Sequence, residues 1–321
     1  MSLQEPVNLA CASNLAYAIP LTVMLRSAVD SLSPDRELVA WIVDDGLGPS
    51  NRKRIEESLP TRARIEWLAP ARSNLNGLPL WGRMPATTYH KLTIAELLPE
   101  HLRKAIWLDC DMLVLADLAE LWSMPMHGSQ LLAVRDTLVP TVASRFGIDA
   151  FADVGLDGSS PYFNAGMMVF DPQEWRNSHV ASFAVEYLKE FHSRVFFWDQ
   201  EALNAVLASR WKEVDDKWNW SATLDRLSPK RNREHANGDH RIVHFSGNIK
   251  PWVVRERMHF DSRYFEILDK TSWRGWRPHR TITRSVLGWY GSSRVRRLIY
   301  PAEHLGLRIV RRLTQRNGSR A

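Results

Sequence analysis

Asp109-Cys110-Asp111 stands directly after the apolar run Lys104–Leu108. Two carboxylates at i and i+2, where a strand ends and the chain turns, can face one point. Like charges that close repel unless a cation lies between them. Oxygen donors suit a hard divalent ion, Mg2+ or Mn2+, which also binds phosphate. The same spacing fits a solvated turn, because short acidic motifs recur by chance. A second segment, His244-Phe245-Ser246-Gly247-Asn248-Ile249-Lys250-Pro251-Trp252, follows the apolar pair Ile242-Val243. It offers an imidazole as a third metal ligand, a glycine that permits close backbone approach, and a lysine that meets a phosphate as a point charge. The bland reading is a hydrogen-bonded histidine beside a surface lysine.

Three further groups can contact a sugar. Asn164, with small neighbours Ala165 and Gly166, places an amide where a hydroxyl could approach, or simply forms a turn. Asp199-Gln200 opens a helical segment, so Asp199 is either an N-cap or a ligand for substrate hydroxyls, with the Gln200 amide oxygen alongside. Lys91, in Thr87-Thr88-Tyr89-His90-Lys91, is either a phosphate or sugar contact or a solvated face residue. Gly46-Leu47-Gly48 lacks the third glycine of a dinucleotide fingerprint, and there is no Gly-Lys-Ser/Thr phosphate loop, nucleophile elbow or cysteine cluster.

The elements that must hold these groups alternate between short β-type runs and helix-length segments. Strands are predicted at Val7–Ala12, Glu37–Val43, Arg64–Leu68, Lys104–Leu108, Leu131–Val134 and Gly166–Phe170. Helices are predicted at Pro20–Ser31, from a Ser50 cap to Leu59, and at Thr88–Leu98, Val180–Phe191 and Asp199–Ala208. That alternation predicts an α/β fold with a mostly parallel central sheet covered on both faces. Ligands bind such sheets beyond the carboxyl ends of the strands, where the chemical groups above stand.

The chain has 321 residues, 45% apolar and 24% charged, which excludes collagenous, low-complexity and wholly disordered classes. No uninterrupted apolar stretch reaches membrane-spanning length. Leu9–Leu25 is apolar, but its first basic residue, Arg26, lies on the wrong side for a secretory leader, so none is expected. Two cysteines, Cys11 and Cys110, make no disulfide framework and fit a reducing compartment. Charge is unevenly spread. From residue 271 onward there are twelve arginines and one acid, Glu303, on a chain whose first 270 residues are net acidic. Ala302, Leu305, Ile309 and Leu313 share a helical face there, so the segment reads as a basic amphipathic tail for an anionic partner, a membrane surface before nucleic acid.

In this order, the segments Ala12–Tyr17, Thr87–Leu92, Trp107–Val114, Tyr162–Gly166, Asp199–Asn204 and His244–Trp252 resemble the family 8 retaining glycosyltransferases, with bacterial lipopolysaccharide galactosyl- and glucosyltransferases as the nearest type. The resemblance implies one GT-A (Rossmann-like) nucleotide-diphosphosugar transferase domain over 1–270, followed by the tail at 271–321. It implies a UDP-sugar donor, Mn2+ (or Mg2+), and a glycan or lipid-linked glycan acceptor. By match to the family motifs, Asp109, Asp111 and His244 are metal ligands, and Gly247 and Lys250 grip the diphosphate. Lys91, Asp136, Asn164 and Asp199 contact the donor sugar, and Gln200 lies beneath the anomeric carbon. Ala12, Ser13, Asn14, Tyr17, Leu108 and Ala165 line the donor site. The family usually carries acids where Ser13 and Asn14 stand, at the place where uracil docks.

Since an amide is a poor nucleophile, Gln200 in that position favours same-face attack over double displacement. The tail would hold the protein on the inner, cytoplasmic face of the membrane. Two other functions fit some of the same features: a metal-dependent nucleotidyltransferase, and a non-catalytic sugar-nucleotide binding protein.

Overall fold

The computed structural model describes residues 5–71, 75–80, 84–222, 238–247, 250–253 and 260–278. Seven strands form the central sheet: β1 (Val7–Ser13), β2 (Leu38–Asp44), β3 (Ala63–Leu68), β4 (Ala105–Leu108), β6 (Leu131–Arg135), β7 (Phe163–Phe170) and β8 (Trp211–Glu213). Their spatial order is β3-β2-β1-β4-β7-β6-β8. The first four are mutually parallel, β7 runs antiparallel to both its neighbours, and β8 is parallel to β6. The expected mostly parallel α/β architecture is present.

Central strands of such a sheet are buried on both faces, which is why β1 is almost wholly apolar. Side chains alternate between the faces. Leu9, Cys11, Ile106 and Leu108 enter one core, and Ala10, Ala105 and Trp107 enter the other. The first core is covered by α1 (Ala18–Ser31), α2 (Pro49–Glu56), α4 (Leu118–Trp122) and α8 (Asp261–Leu268). The second is covered by α3 (Ile94–Leu97), α5 (Pro172–Asn177), α6 (Val180–Glu190) and α7 (Trp198–Leu207).

A second, three-stranded sheet orders β5 (Met112–Val114), β10 (Ile242–His244) and β9 (Trp220–Ser221) as β5-β10-β9. The sequence reading did not contain it. Asp109-Cys110-Asp111 is the bend between β4 of the large sheet and β5 of the small one, so the two carboxylates sit where the sheets meet.

Two boundaries differ from expectation. The predicted Ser50 cap is instead Gly48, with φ 78°, and Pro49 takes the first helical position, where its fixed φ and missing N–H are harmless. The predicted helix Thr88–Leu98 is a 3-10 turn over Ala86–Lys91 and then the single-turn α3. In a 3-10 turn residues i and i+3 eclipse, which puts Thr88 and Lys91 on one side. Packing also continues past residue 270. Thr271 and Trp273 are buried, the Arg54 guanidinium lies 4.4 Å over the Trp273 ring, and Arg277 pairs with Asp269 at 2.6 Å. The body therefore extends at least to residue 278. The amphipathic part of the basic tail, 302–313, lies outside the described residues.

Candidate functional site

Two strand registers assemble the site. The β4–β7 ladder ends with Leu108 opposite Met167 and continues with the Asp109 N–H donating to the Gly166 carbonyl at 2.9 Å. The β5–β10 ladder sets His244 opposite Met112 and continues with the Phe245 N–H donating to the Asp111 carbonyl at 2.9 Å. Residues more than a hundred positions apart are thereby fixed side by side. One ligand atom each from Asp109, Asp111 and His244 lies within 4.8 Å of the other two. His244 Nε2 is 3.3 Å from Asp111 Oδ1.

Gly166 admits the imidazole. A Cβ there would lie 2.6 Å from His244 Cε1 and 2.9 Å from its Nδ1. The same ring edge meets Asn219, whose Oδ1 is 3.0 Å from Nδ1.

Two buried lysines flank the carboxylates. Lys91 Nζ is 3.1 Å from Asp109 Oδ1 and 2.7 Å from Asp199 Oδ2. Lys250 Nζ pairs with Asp111 Oδ2 and donates to the Phe245 carbonyl at 2.9 Å. Burial by itself would lower both lysine pKa values, but the facing carboxylates outweigh it and raise them. Burial raises the Asp109 carboxyl, with Asp111 and Asp199 adding to the rise against the opposing Lys91. At Asp111 burial is overcome by Lys250 and His244, which hold its carboxyl far below the usual range. Three carboxylates (Asp109, Asp111 and Asp199) thus share two ammonium groups, with the His244 imidazole beside them.

The second half of the site lies at the start of α7. Asp199 is buried, with Oδ1 accepting from Thr88 Oγ1 at 2.6 Å and Oδ2 held by Lys91. The eclipsed Thr88 and Lys91 thus bind one carboxylate between them. Gln200 Oε1 accepts the Ala165 N–H at 3.1 Å, and its Nε2 donates to Asp136 Oδ2 at 3.1 Å. Asn164 Nδ2 donates to the same Asp136 oxygen at 2.9 Å, while Asn164 Oδ1 accepts the Gly166 N–H at 3.0 Å. Asp136 Oδ1 takes the N–H groups of Leu138 and Val139, so hydrogen bonds, rather than a facing lysine or arginine, hold this carboxylate.

Among the sequence-predicted residues, Asp109, Asp111, His244, Lys91, Lys250, Asp199, Gln200, Asn164 and Asp136 therefore form one connected constellation. Gly247 adopts φ 82° in the turn leading from His244 towards Lys250, a conformation that favours glycine. Tyr17 stands edge-on to Trp252, and Lys250 Nζ lies 5.9 Å from the Tyr17 ring centroid. The carbonyl of Ala12 accepts from Cys110 Sγ at 3.1 Å, tying β1 to the acidic bend. Ser13 ends β1, Leu108 ends β4 and Ala165 lies near the start of β7. Each is fully buried and offers no surface to a ligand. Leu108 places Asp109 at the strand end, and the Ala165 N–H orients Gln200.

An acid from another strand is linked to Asn14 through Thr87. Asn14 Nδ2 donates to Thr87 Oγ1 at 2.9 Å, and Thr87 Oγ1 donates to Asp45 Oδ2 at 2.6 Å. Asp45 follows β2, which is parallel to and in register with β1, so the two strand ends stand side by side.

Several residues with supporting positions escaped the sequence reading. Trp107 Nε1 donates to Asp109 Oδ1 at 2.8 Å. Asn204 clamps the Phe163 backbone, accepting its N–H at 2.8 Å and donating to its carbonyl at 2.9 Å. Glu201, fully buried, accepts from the Phe196 and Phe197 N–H groups and from the Tyr187 hydroxyl, fixing the loop that leads into α7. Glu201 was legible only as an acid in an apolar segment. Asn219, between two tryptophans, gave no local signal.

A family model described as glycosyl transferase family 8 matches residues 8–255. General stress protein A of Bacillus subtilis is 26% identical over 284 residues, covering 85% of this chain and 96% of that protein. The lipopolysaccharide 1,3-galactosyltransferase of Salmonella typhimurium is 23% identical, covering 74% of this chain and 72% of its own. The crystal structure of the galactosyltransferase LgtC with donor and acceptor sugar analogues superposes with a TM-score of 0.69 at 23% identity, covering 83% of this chain and 96% of that one. At that identity the superposition carries the fold, a GT-A fold.

Proposed function

The chain belongs to glycosyl transferase family 8, and from that membership we propose that it moves a hexose, galactose or glucose, from a UDP-sugar to a glycan or lipopolysaccharide-type acceptor with retention at the anomeric carbon. The observation that carries the reading is the convergence of Asp109, Asp111 and His244 within 4.8 Å, at the carboxyl end of a parallel strand.

The donor set suits a divalent ion. Two carboxylates and an imidazole match Mn2+, or Mg2+ through the oxygens, and the excess of carboxylates over lysines supplies the negative field. Asp109, Asp111 and His244 would hold the ion, which when bound supplies Lewis acidity towards a leaving diphosphate. The other roles belong to the chain. Lys250, held by Asp111 and the Phe245 carbonyl, keeps a fixed positive charge where the diphosphate charge grows, and a preorganised charge needs no reorganisation during reaction. Asp199, pinned by Thr88 and Lys91, presents a carboxylate to donor-sugar hydroxyls. Both its oxygens are engaged, so it is a poor nucleophile. The Gln200 carboxamide is held at both ends, and its dipole favours a sugar carbon as it becomes cationic. The anomeric C–O bond to the phosphate breaks, the acceptor oxygen bonds on the same face, and the departing phosphate oxygen takes the acceptor proton. Asp45, reached through Thr87 and Asn14, supports recognition of a base N–H.

We further propose that the arginine-rich segment after residue 278 attaches the protein to an anionic membrane surface and brings the site to lipid-linked glycans. Among the described residues no helix is long and apolar enough to cross a membrane.

A thermal-shift series with UDP-, GDP- and ADP-sugars, each with and without Mn2+, tests the donor. Stabilisation by UDP-sugars that requires Mn2+ is expected. Equal response to all three, or none to Mn2+, would overturn it.

A further inference from the structure

Asn219 ends a 3-10 turn at Asp216–Asn219 and leads into β9, which pairs in parallel with the strand that carries His244. It is buried, and its amide lies between His244 and Asn164: Oδ1 is 3.0 Å from His244 Nδ1, and Nδ2 is 2.9 Å from Asn164 Oδ1.

The polarity of this contact follows from a donor that cannot rotate. The Gly166 backbone N–H points at Asn164 Oδ1 at 3.0 Å, so that atom must be the carbonyl oxygen. Turning the Asn164 amide over would set its NH2 against the Gly166 N–H and its oxygen against the Asp136 carboxylate. Asn219 must therefore present its NH2 to Asn164, because the reverse would bring two acceptors within 2.9 Å. Its oxygen then faces His244 Nδ1, which must carry a proton. In a neutral imidazole the lone pair is then on Nε2, the atom that faces the Asp109–Asp111 pair.

We propose that Asn219 is a positioning residue that selects the Nδ1-protonated tautomer of His244 and so aims the Nε2 lone pair at the carboxylates. The same relay extends to the sugar side. Asn164 donates to Asp136 Oδ2, which also accepts from Gln200 Nε2. The tautomer claim stands on hydrogen bonds alone, whereas its consequence for a bound ion rests on the metal-site reading above. Partners on the far nitrogen of a ligating histidine fix its tautomer in just this way.

The test uses the full chain, free of metal and labelled with 15N-histidine. Long-range 1H–15N correlations report which His244 nitrogen is protonated. In the wild type a proton on Nδ1 is expected. In Asn219→Leu, with that acceptor gone, the proton is expected to move to Nε2, towards Asp111. The near-isosteric Asn219→Asp keeps an acceptor at Nδ1 and is expected to keep the wild-type tautomer, while kcat falls because its carboxylate opposes Asn164 Oδ1. Calorimetry with Mn2+ and UDP should show an affinity loss of about 10- to 100-fold for Asn219→Leu and little loss for Asn219→Asp. A wild-type ring with no proton on Nδ1, or an Asn219→Leu ring that keeps one there, would overturn the proposal. A wild type that shows the expected tautomer but binds no Mn2+ would instead overturn the metal-site reading and leave the role of Asn219 in place.

Discussion

Replacing Gly166 by alanine should move the His244 ring. The added Cβ would stand 2.6 Å from His244 Cε1, 2.8 Å from Met112 Cε and 2.9 Å from His244 Nδ1. The methionine methyl can swing aside, but the ring is held by Asn219 on one edge and Asp111 on the other. Non-bonded carbons rest about 3.5–4.0 Å apart, so ring and strand must separate by about 1 Å. Gly166 has no positive φ, so alanine strains no backbone there. The cost is therefore steric, of the order of 1–3 kcal/mol for an overfilled core. The displaced imidazole should lower donor turnover by about 100-fold, as expected for a misplacement of about 1 Å. Urea unfolding and UDP-sugar turnover would be measured for Gly166→Ala, His244→Ala and the double variant. In the His244→Ala background the new methyl enters vacated space, so most of its stability cost should vanish, giving a coupling of about 1–2 kcal/mol, within the range for residues in contact. A Gly166→Ala cost that is unchanged without the imidazole would refute the reasoning.

Asp111→Asn should abolish Mn2+-dependent cleavage of UDP-sugar while the protein stays folded. Asp111→Ala should additionally lose about 3 kcal/mol of stability, because Lys250 would be left buried and unpaired. Asp269 is held at about 2, first by its hydrogen bonds from Arg277 and Gly275. Its folded pKa is depressed, so its contribution is complete above the ordinary carboxylate value and is lost as pH falls from about 4 to 2. Asp269→Asn should differ from the wild type by less than about 1 kcal/mol at neutral pH, since the pair is partly exposed, and the two should converge by pH 2. Deletion of residues 279–321 should remove sedimentation with anionic vesicles at low salt. Unchanged vesicle binding would take the anchor out of the account.

What could be foreseen from the chain followed the range of the interactions. Central strands such as β1 and β4 announced themselves because both their faces are buried, which forces continuous apolar runs. The Asp109-Cys110-Asp111 bend was legible because it breaks such a run with two acids. Position along the chain does not reveal that β7 runs antiparallel beside β4, nor that three-residue β5 and β10 pair to form a second sheet. The first pairing joins residues about 60 positions apart and the second residues about 130 apart, and the second decides that His244 meets Asp111. The helix expected from Thr88 is instead a 3-10 turn, in which Thr88 and Lys91 both reach Asp199. Ser13 and Asn14 left the crevice without an acid in local sequence, and only the strand register of β1 and β2 brings Asp45 beside them. Asn219 illustrates the same limit, since its importance comes wholly from its two distant partners.

The central claim is that Asp109, Asp111 and His244 share a divalent ion with a nucleotide diphosphate. Crystals grown with UDP and Mn2+, measured at the manganese absorption edge, test it most directly. One anomalous peak is expected, in coordination contact with both carboxylates, His244 Nε2 and the diphosphate. A peak elsewhere, or bound UDP with no ion between these three side chains, would contradict it.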